Sequence, residues 1–494
     1  MKLSFIVPYF NKPTDVLLRC LRSIKTQALK DWEVVLVKDG PSHVPDRVIE
    51  NVFDHSDKVR VIEIEKGGAC AARNAGFKES TGDYVVFWDA DCAIEPEVAK
   101  QWCDFLDKNK DYGFVYSGYR FTGEGGGGIA SEAFDPWTLR VRNYISACFP
   151  VRRELVKGWD TNLKSLQDWD FWLSVVEAGA KGKFIEGFAF STTPPDKDSI
   201  SGQGCTDEVW LSRVDAVKKK HNLPERKMCV SAPMHRMDGL SLAKAIDADY
   251  QDFPEFKPHR YETIIKIGFS LERGRGGWEA NTLKNPNVKD KYLFWTPEDI
   301  MTLQYRTSLK GLKIYSLLLN SICAGQFVED KISCDMMKEA GFNVEVFPLP
   351  MRGSDAPMPN KPKWVLDISD EYEGLATSII NALPDIEVAN LHEVAKIDDF
   401  SGIVQFYPDA LLNSTMKRLL VSGRNVVSNI KSPFCGFVKG DKAEELLKPV
   451  VNAIRSKSEN CDKNLEAMNY WREELKIEKF TEKLNARQLC NSKS

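Results

Sequence analysis

The chain has 494 residues, of which 43% are hydrophobic and 28% charged, and its formal net charge is −4. This length predicts two or three domains, and the composition is ordinary for a soluble globular protein. No run of about twenty apolar residues occurs, which excludes a membrane-spanning helix. The 12 cysteines form neither C-x-x-C pairs nor clusters with histidine, which argues against a zinc module or a disulfide framework. An N-terminus that enters a strand directly, without a signal-peptide pattern, predicts a cytoplasmic protein.

The first 90 residues alternate short apolar runs with helical patterns. The predicted strands are 3–7, 33–37, 59–64 and 84–88, and the predicted helices are 16–28, 48–53 and 69–79. Strands of about five apolar residues that alternate with helices predict an α/β fold with a parallel, Rossmann-like sheet. The motif G-x-G-x-x-G is absent after the first strand, which disfavours a dinucleotide-dependent dehydrogenase.

The segment YVVFWDAD ends an apolar strand with two carboxylates, Asp89 and Asp91. Open α/β sheets bind ligands at the carboxyl ends of their strands, so both acids are candidate site residues. Buried acids need a positive partner, and carboxylate oxygens suit a divalent cation such as Mg²⁺ or Mn²⁺ that carries a diphosphate. Asp-x-Asp is not specific by itself, because it recurs at 168–170, 196–198 and 247–249.

Four segments together resemble the family 2 glycosyltransferases in order and spacing. They are SFIVPYFNK, VVLVKDGPS, GGACAARNAGFKESTGDYVVFWDAD and LQDWDFWLSVVEAG, within residues 1–220. The resemblance implies a GT-A fold and a nucleotide-diphosphate sugar as the donor. It also implies a metal-dependent reaction, with Mn²⁺ or Mg²⁺ as the cofactor and UDP as the usual nucleotide.

The resemblance assigns the base-binding side of the site to the first two strands. Pro8 and Tyr9 match the loop that borders the nucleotide base, and Asp39 matches the acid that hydrogen-bonds it. Lys38 stands where the family often has a second acid, which leaves the identity of the base open. The alternative for Asp39 is a turn-forming aspartate before glycine.

Arg73 matches the arginine that lies near the base and the pyrophosphate, where a guanidinium suits phosphate oxygens. Asp91 matches the metal ligand, and Asp89 matches the acid nearer the ribose or sugar. Lys197 lies in the loop 192–204, which matches a loop that closes the site, and it could contact the diphosphate. The alternative for Arg73 is an arginine on the surface of a helix.

Asp168 matches the catalytic base of the family, in the segment LQDWDFW. Direct displacement at the anomeric carbon inverts the configuration and needs one carboxylate to accept the proton of the attacking hydroxyl. Asp168 would lie at the start of a helix over 169–177, where the helix dipole favours an ionised carboxylate. The alternative is that Asp168 only caps this helix, and Asp170 is interpreted as a supporting residue.

Two other features of the first domain are less specific. The glycine-rich segment 123–128 is interpreted either as a mobile flap near the acceptor or as a disordered insertion. Arg152 and Arg153 match a basic pair that often precedes the base in this family.

The sequence predicts three parts: a GT-A domain over 1–225, a linker with one helix (240–250) over 226–260, and a second α/β domain over 261–494. The segment 416–455 resembles the nucleotide-sugar half of GT-B glycosyltransferases. Its phosphate-gripping basic pair and ribose-binding glutamate are not clear, so the resemblance is weak. The alternative is a Rossmann-like accessory domain that binds the acceptor or mediates homo-oligomer formation.

The acceptor stays open between two classes. One is a glycan or lipid-linked oligosaccharide. The other is a hydroxylated base in DNA, as for viral DNA-modifying glycosyltransferases. Residues 211–315 contain 19 Lys/Arg and 13 Asp/Glu, a local charge of +6 that leaves −10 for the remainder. A basic face could bind a phosphate-bearing acceptor; it would comprise Arg273, Arg275, Arg306, Lys310 and Lys313. Two further alternatives are a bifunctional enzyme with a second transferase site in the C-terminal half and a catalytically inactive sugar-nucleotide binding module.

Overall fold

The computed structural model divides the chain into two compact units, Met1–Glu225 (unit 1) and Arg226–Ser494 (unit 2). The structure describes residues 2–41, 44–122, 127–129, 131–194, 206–233, 235–252, 260–269, 283, 287–296, 299–300, 303, 309–328, 331–347, 361–369, 372, 374–391, 400–406, 416, 419–420, 422, 424–428, 435–439, 442–458, 465–475 and 482.

Unit 1 is built on one mixed sheet. Its strands are β1 (Leu3–Tyr9), β2 (Trp32–Asp39), β3 (Val59–Ile64), β4 (Tyr84–Phe87), β5 (Ala93–Ile94), β6 (Phe114–Phe121), β7 (Gly128–Ile129), β8 (Val151–Arg152) and β9 (Gly182–Thr192). The strand order is β3-β2-β1-β4-β8-β6-β9-β5, and β7 pairs with β6. The first four strands are parallel, whereas β8 is antiparallel to both β4 and β6. The result is a curled, Rossmann-like α/β sheet, consistent with a GT-A domain.

The helices of unit 1 pack on this sheet. They are α1 (Thr14–Lys25), α2 (Asp46–Val52), α3 (Ala69–Glu79), α4 (Val98–Lys108), α5 (Pro136–Val141), α6 (Gln167–Glu177) and α7 (Asp207–Lys220), with a 3-10 turn at Arg153–Leu155. Helix α1 buries one apolar stripe at helical spacing, which includes Leu17, Leu21 and Ile24. Helix α3 lies close to the sheet because Gly76 has no side chain; a Cβ there would collide with Ile6 and Val37.

The register of the parallel strands brings their carboxyl ends to one edge. Leu3 of β1 pairs with both Trp32 of β2 and Tyr84 of β4. The residues that follow β1, β2 and β4 therefore lie side by side, although they are tens of residues apart in sequence. This edge contains the acidic residues that the sequence singles out.

Unit 2 contains two separate sheets in which every described pairing is parallel. The first has β10 (Met228–Ser231), β11 (Asp249–Tyr250), β12 (Thr263–Ile267), β13 (Asp290–Trp295), β14 (Gly325–Val328) and β15 (Glu345–Val346), in the order β11-β10-β12-β13-β14-β15. The second has β16 (Lys363–Ile368), β17 (Glu387–Asn390), β18 (Gly402–Phe406), β19 (Asn425–Ser428) and β20 (Cys435–Phe437), in the order β17-β16-β18-β19-β20. The described helices are α8 (Arg236–Ala245), α9 (Leu309–Ile322), α10 (Lys331–Glu339), α11 (Leu375–Ala382), α12 (Ala443–Ser458) and α13 (Leu465–Glu474).

The structure corrects the predicted linker 226–260. Residues in this range form β10, α8 and β11, and β10 pairs with both β11 and β12. The predicted helix over 240–250 begins earlier, ends at Ala245 and is followed by a strand. Strands of four and two residues are too short to show a hydrophobic period, so the sequence pattern concealed them. In the part of unit 2 that is described, as in unit 1, no helix is long and apolar enough to cross a membrane.

Candidate functional site

Asp89 and Asp91 lie in a tight turn directly after β4. Just before the turn, the Trp88 N–H donates to the Ile6 carbonyl at 2.8 Å. Within the turn, the Cys92 N–H donates to the Asp89 carbonyl at 3.0 Å. The side chain of Asp89 is 42% exposed and that of Asp91 is 18% exposed. Both carboxylates therefore reach solvent at the ligand-binding edge of the sheet.

Arg73 connects this turn to the rest of the edge. Its guanidinium donates to Asp89 Oδ1 at 3.0 Å and to Gln167 Oε1 at 3.4 Å. It also lies 4.3 Å from the ring centroid of Trp159, whose ring stacks on Phe171 with centroids 4.4 Å apart. The Nε of Arg73 is buried with no hydrogen-bond partner.

The charge of Arg73 is stabilised by its acidic surroundings. Burial lowers the pKa of Arg73, but the carboxylates of Asp89 and Asp168 outweigh burial, and the net shift is upward. The structure therefore differs from the alternative of a surface arginine, because Arg73 is 5% exposed and ion-paired.

Asp39 lies at the end of β2, where its carboxylate accepts backbone hydrogen bonds from the loop before α3. Oδ1 accepts from Gly67 N–H at 2.7 Å, and Oδ2 accepts from Gly68 N–H at 3.0 Å. Asp39 is 5% exposed, so its visible role is to hold the Gly67-Gly68 turn against the sheet. Lys38 pairs with Asp46 at the start of α2.

Pro8 and Tyr9 form the last two residues of β1. Tyr9 is buried, with 1% exposure, and its hydroxyl donates to the Lys12 carbonyl at 3.3 Å. Tyr9 therefore supports the loop after β1.

Asp91 is already paired with a cation of the chain itself. Lys12 Nζ lies 2.8 Å from Asp91 Oδ2, and the hydroxyls of Thr192 and Thr193 lie 3.5 and 3.4 Å from the two carboxylate oxygens. The Asp91 carbonyl accepts a hydrogen bond from Arg19 Nη2 at 2.5 Å. Asp91 is therefore flanked by two cationic side chains, and its carboxylate and the two hydroxyls are oxygen ligands of the kind that a hard cation prefers.

Asp168 is the second residue of α6, which starts at Gln167 and not at residue 169. The residue before the helix is Leu166, which has a left-handed φ of 61° and no capping side chain. Asp168 therefore does not occupy the N-cap position. Its Oδ2 accepts a hydrogen bond from Ala147 N–H at 3.0 Å.

The pKa of Asp168 differs from the expectation. Burial of the carboxyl raises it; the Arg73 guanidinium opposes this shift, the charge of Asp89 adds to it, and the net pKa is raised above 3.8. The helix start was expected to favour the ionised form, but desolvation dominates. A raised pKa makes the Asp168 carboxylate a stronger proton acceptor wherever it is ionised.

Asp170 supports the fold of the site and does not face it with Asp168. It is 2% exposed, and it binds Lys220 Nζ at 2.7 Å and His221 Nε2 at 2.9 Å. His221 Nδ1 lies 3.0 Å from Glu177, and Lys220 Nζ also binds Asp160 at 3.0 Å. This network ties the end of α7 to α6.

Two thiols lie directly behind the Asp89 turn. Cys92 and Cys148 have their sulfur atoms 3.8 Å apart, and the Asp89 N–H donates to Cys148 Sγ at 3.4 Å. With Asp89 they form a group of metal-ligand types within 4.8 Å of one another. Burial raises the pKa of both thiols, and sulfur is a soft ligand that suits Mg²⁺ or Mn²⁺ less well than carboxylate oxygen does.

Several predicted site residues have other roles or lie outside the described residues. Arg152 donates to carbonyls at the end of α4, including Leu106 O at 2.6 Å, and Arg153 donates to Gly82 O at 2.5 Å; both are framework residues. The residues whose placement is not described are Lys197, most of the segment 123–128, Arg273, Arg275, Arg306 and the side chain of Lys310.

Sequence reasoning missed the partners of the predicted acids. Lys12, Trp159 and His221 contact Asp91, Arg73 and Asp170, respectively. Lys12 lies within the SFIVPYFNK segment, so its place after β1 was a usable signal. Trp159 and His221 carry no local signal, because only the fold brings them to their partners.

Known proteins resemble unit 1 in sequence. Residues 4–161 match the family described as Glycosyl transferase family 2. An uncharacterised glycosyltransferase of Haemophilus influenzae is 27% identical over 48% of this chain and 85% of its own length. The chondroitin synthase of Pasteurella multocida is 24% identical over 44% of this chain and 22% of its own length.

The chain also resembles the crystal structure of S. aureus TarS 1–349 in complex with UDP-GlcNAc. The TM-score is 0.38 at 21% identity, over 44% of this chain and 66% of that one.

Proposed function

Since residues 4–161 form a family 2 glycosyltransferase domain and the chain is a glycosyltransferase, we propose that it moves a sugar from a UDP-sugar to a glycan hydroxyl, with inversion. The observation that carries this proposal is the link from Asp89 through Arg73 to the neighbourhood of Asp168. Arg73 binds Asp89 at 3.0 Å, and its charge acts on the pKa of Asp168. Both interactions support the proposal that the acids that the reaction needs belong to one site.

Asp91 is the proposed ligand of a divalent cation, Mn²⁺ or Mg²⁺. The donor set supports this, because a carboxylate and two threonine hydroxyls are hard oxygen ligands and Asp91 already attracts an ammonium. When bound, the cation neutralises charge on the leaving nucleoside diphosphate. Pro8, Tyr9, Asp39 and Lys197 stay predictions for donor binding.

Asp168 is the proposed base. In a single displacement, the acceptor oxygen bonds to the anomeric carbon as the bond to the diphosphate breaks, and Asp168 accepts the acceptor proton. The raised pKa of Asp168 supports this role, because a more basic carboxylate takes the proton more readily. Asp89 is held by Arg73 and would face the ribose or sugar.

A glycan acceptor is favoured by the name of one relative, a chondroitin synthase. The alternative of a hydroxylated DNA base rests on five basic residues, of which only Lys313 has a described side chain. A glycan or lipid-linked oligosaccharide is therefore the first acceptor class to test. A cytoplasmic location and a homo-oligomer stay predictions.

A second candidate activity lies in unit 2. Each of its sheets has its first strand inside the sheet, with the second strand on one side and the third on the other. Parallel sheets with such a switch in strand order bind ligands at their carboxyl edges, which supports the Rossmann-like part of the prediction; the GT-B-like part stays a prediction. An Asp91→Ala variant that still consumes a sugar nucleotide would identify a second transferase site.

The test is a donor and acceptor screen. Release of nucleoside diphosphate is measured with UDP-, GDP- and CDP-sugars, with Mn²⁺ or with EDTA, and with glycan or hydroxymethylated DNA acceptors. The proposal expects release from UDP-sugars that needs Mn²⁺ and a glycan, and a product of inverted anomeric configuration by NMR. Binding of the sugar nucleotide without any release would instead indicate an inactive binding module.

A further inference from the structure

Lys12 is held in a defined position in the loop between β1 and α1. The residue before it, Asn11, has a left-handed φ of 46°, a conformation that non-glycine residues adopt at some cost. The Lys12 carbonyl accepts a hydrogen bond from the buried Tyr9 hydroxyl at 3.3 Å. The backbone turn therefore sets where the Lys12 side chain starts.

The ammonium of Lys12 contacts the carboxylate of Asp91, which lies 79 positions later in the sequence. The distance from Nζ to Oδ2 is 2.8 Å, and the side chains of Lys12 and Asp91 are 36% and 18% exposed. Partial burial on the Asp91 side reduces screening by water, so this pair is stronger than a fully exposed one.

We infer that Lys12 is a built-in counter-ion of the cation site, which a divalent cation must displace from Asp91 before it binds. The inference rests on the proposed function, in which Asp91 is the metal ligand. The ammonium occupies Oδ2, one of the two carboxylate oxygens of Asp91 that could ligate a cation. In the absence of a donor, cation binding therefore carries the cost of breaking this ion pair.

Displacement also makes cation and donor binding cooperative. A divalent cation adds two positive charges to the site, and the displaced ammonium of Lys12 stays tethered beside it. The negative diphosphate of the donor compensates both. We expect the cation to bind weakly alone and more tightly with a nucleoside diphosphate, and the coupling to be reciprocal.

The test is calorimetric titration of Mn²⁺ into the full chain, without nucleotide and with saturating UDP. Lys12→Met keeps most of the length of the side chain but removes its charge. Without nucleotide, it should bind Mn²⁺ at least about fivefold more tightly than the wild type, the lower end of typical coupling effects. With UDP the gain in Mn²⁺ affinity should shrink. The wild type then has a favourable contact between the Lys12 ammonium and the diphosphate, and Lys12→Met lacks it. Lys25→Met is the matched control: Lys25 pairs with the exposed Asp54, and its loss should leave Mn²⁺ affinity unchanged.

The outcomes separate the inference from the proposed function. An unchanged or weaker Mn²⁺ affinity in Lys12→Met overturns the counter-ion role and leaves the metal role of Asp91 intact. No Mn²⁺ binding by either protein, with or without UDP, overturns both. If Lys12→Met does not fold, Lys12→Gln provides the same comparison. In an Asp91→Asn background, the Lys12 substitution should no longer change Mn²⁺ affinity, and a persisting gain would contradict the inference.

Discussion

Two Asp-x-Asp motifs of unit 1 have the same spacing, but their carboxylates are placed differently. In the turn after β4, Asp89 and Asp91 both face the ligand edge, and each pairs with a cation there, Arg73 or Lys12. In α6, Asp168 and Asp170 are about 200° apart around the helix axis, because a helix turns once every 3.6 residues.

The helix therefore directs its two carboxylates to different places. Asp168 interacts with the site residues Arg73 and Asp89, whereas Asp170 is buried against Lys220 and His221. The backbone conformation decides whether two acids cooperate at one site or separate into a reacting acid and a framework acid.

The largest expected effect is on catalysis by Asp168. Asp168→Asn should lower kcat by about 10²- to 10⁴-fold, the range typical of a lost general base, while UDP affinity stays within about twofold. Single-turnover transfer and calorimetry measure the two quantities. Asp170→Asn is the matched control and should keep most of the transfer rate. Near-normal transfer by Asp168→Asn would remove Asp168 as the base.

For stability, the order of Asp168 and Asp170 should be reversed: loss of Asp170 should destabilise the fold, and loss of the Asp168 charge should not. Asp170→Ala leaves Lys220 and His221 without their buried partner, so the free energy of unfolding should fall by about 3 kcal/mol. Asp168→Asn should raise it at pH 7, because the raised pKa means that folding penalises the ionised carboxyl above that pKa. Denaturant titration followed by circular dichroism tests both signs. A destabilising Asp168→Asn would contradict the assigned pKa direction.

The rate of transfer should fall on acidification through the raised pKa of Asp168. Burial raises this pKa and Arg73 lowers it, so the acid limb of kcat should lie above pH 3.8, the ordinary value of the group, and Arg73→Met should move it further up. The measurement is kcat against pH for both proteins. If the acid limb has the same position in Arg73→Met as in the wild type, the charge of Arg73 does not affect the pKa of Asp168.

The smallest expected effect concerns His221. Burial opposes its charge, but hydrogen bonds to Asp170 and Glu177 outweigh burial and raise its pKa above 6.5. Its stabilising contribution is present below pH 6.5 and is lost as the pH rises through the raised value. Part of the decline in the free energy of unfolding above pH 6.5 should therefore be absent from His221→Gln. His55→Gln, at an exposed position, should keep that decline.

Much of the first sheet could be predicted because its strands are continuous apolar runs that end in polar turns. The predicted strand 59–64 and helix 69–79 have the observed bounds, and the acid turn follows β4. The start of α6 could not be predicted, because Leu166 adopts a left-handed conformation that its residue type does not indicate.

The site was harder to predict than the sheet because ion pairs and hydrogen bonds join distant positions. Lys12 and Asp91 are 79 residues apart and Arg73 and Gln167 are 94 apart, so no local pattern records them. In unit 2, the four residues of β10 and the two of β11 were too few to distinguish a sheet edge from a linker.

The most direct test of the account is calorimetric titration of UDP into the wild type and Asp91→Ala, each with Mn²⁺ and with EDTA. The account predicts UDP binding to the wild type that needs Mn²⁺ and is at least about tenfold weaker in Asp91→Ala, a loss of about 1.4 kcal/mol. UDP binding of equal strength and equal Mn²⁺ dependence in both proteins would show that the cation is held elsewhere and would contradict the proposed site.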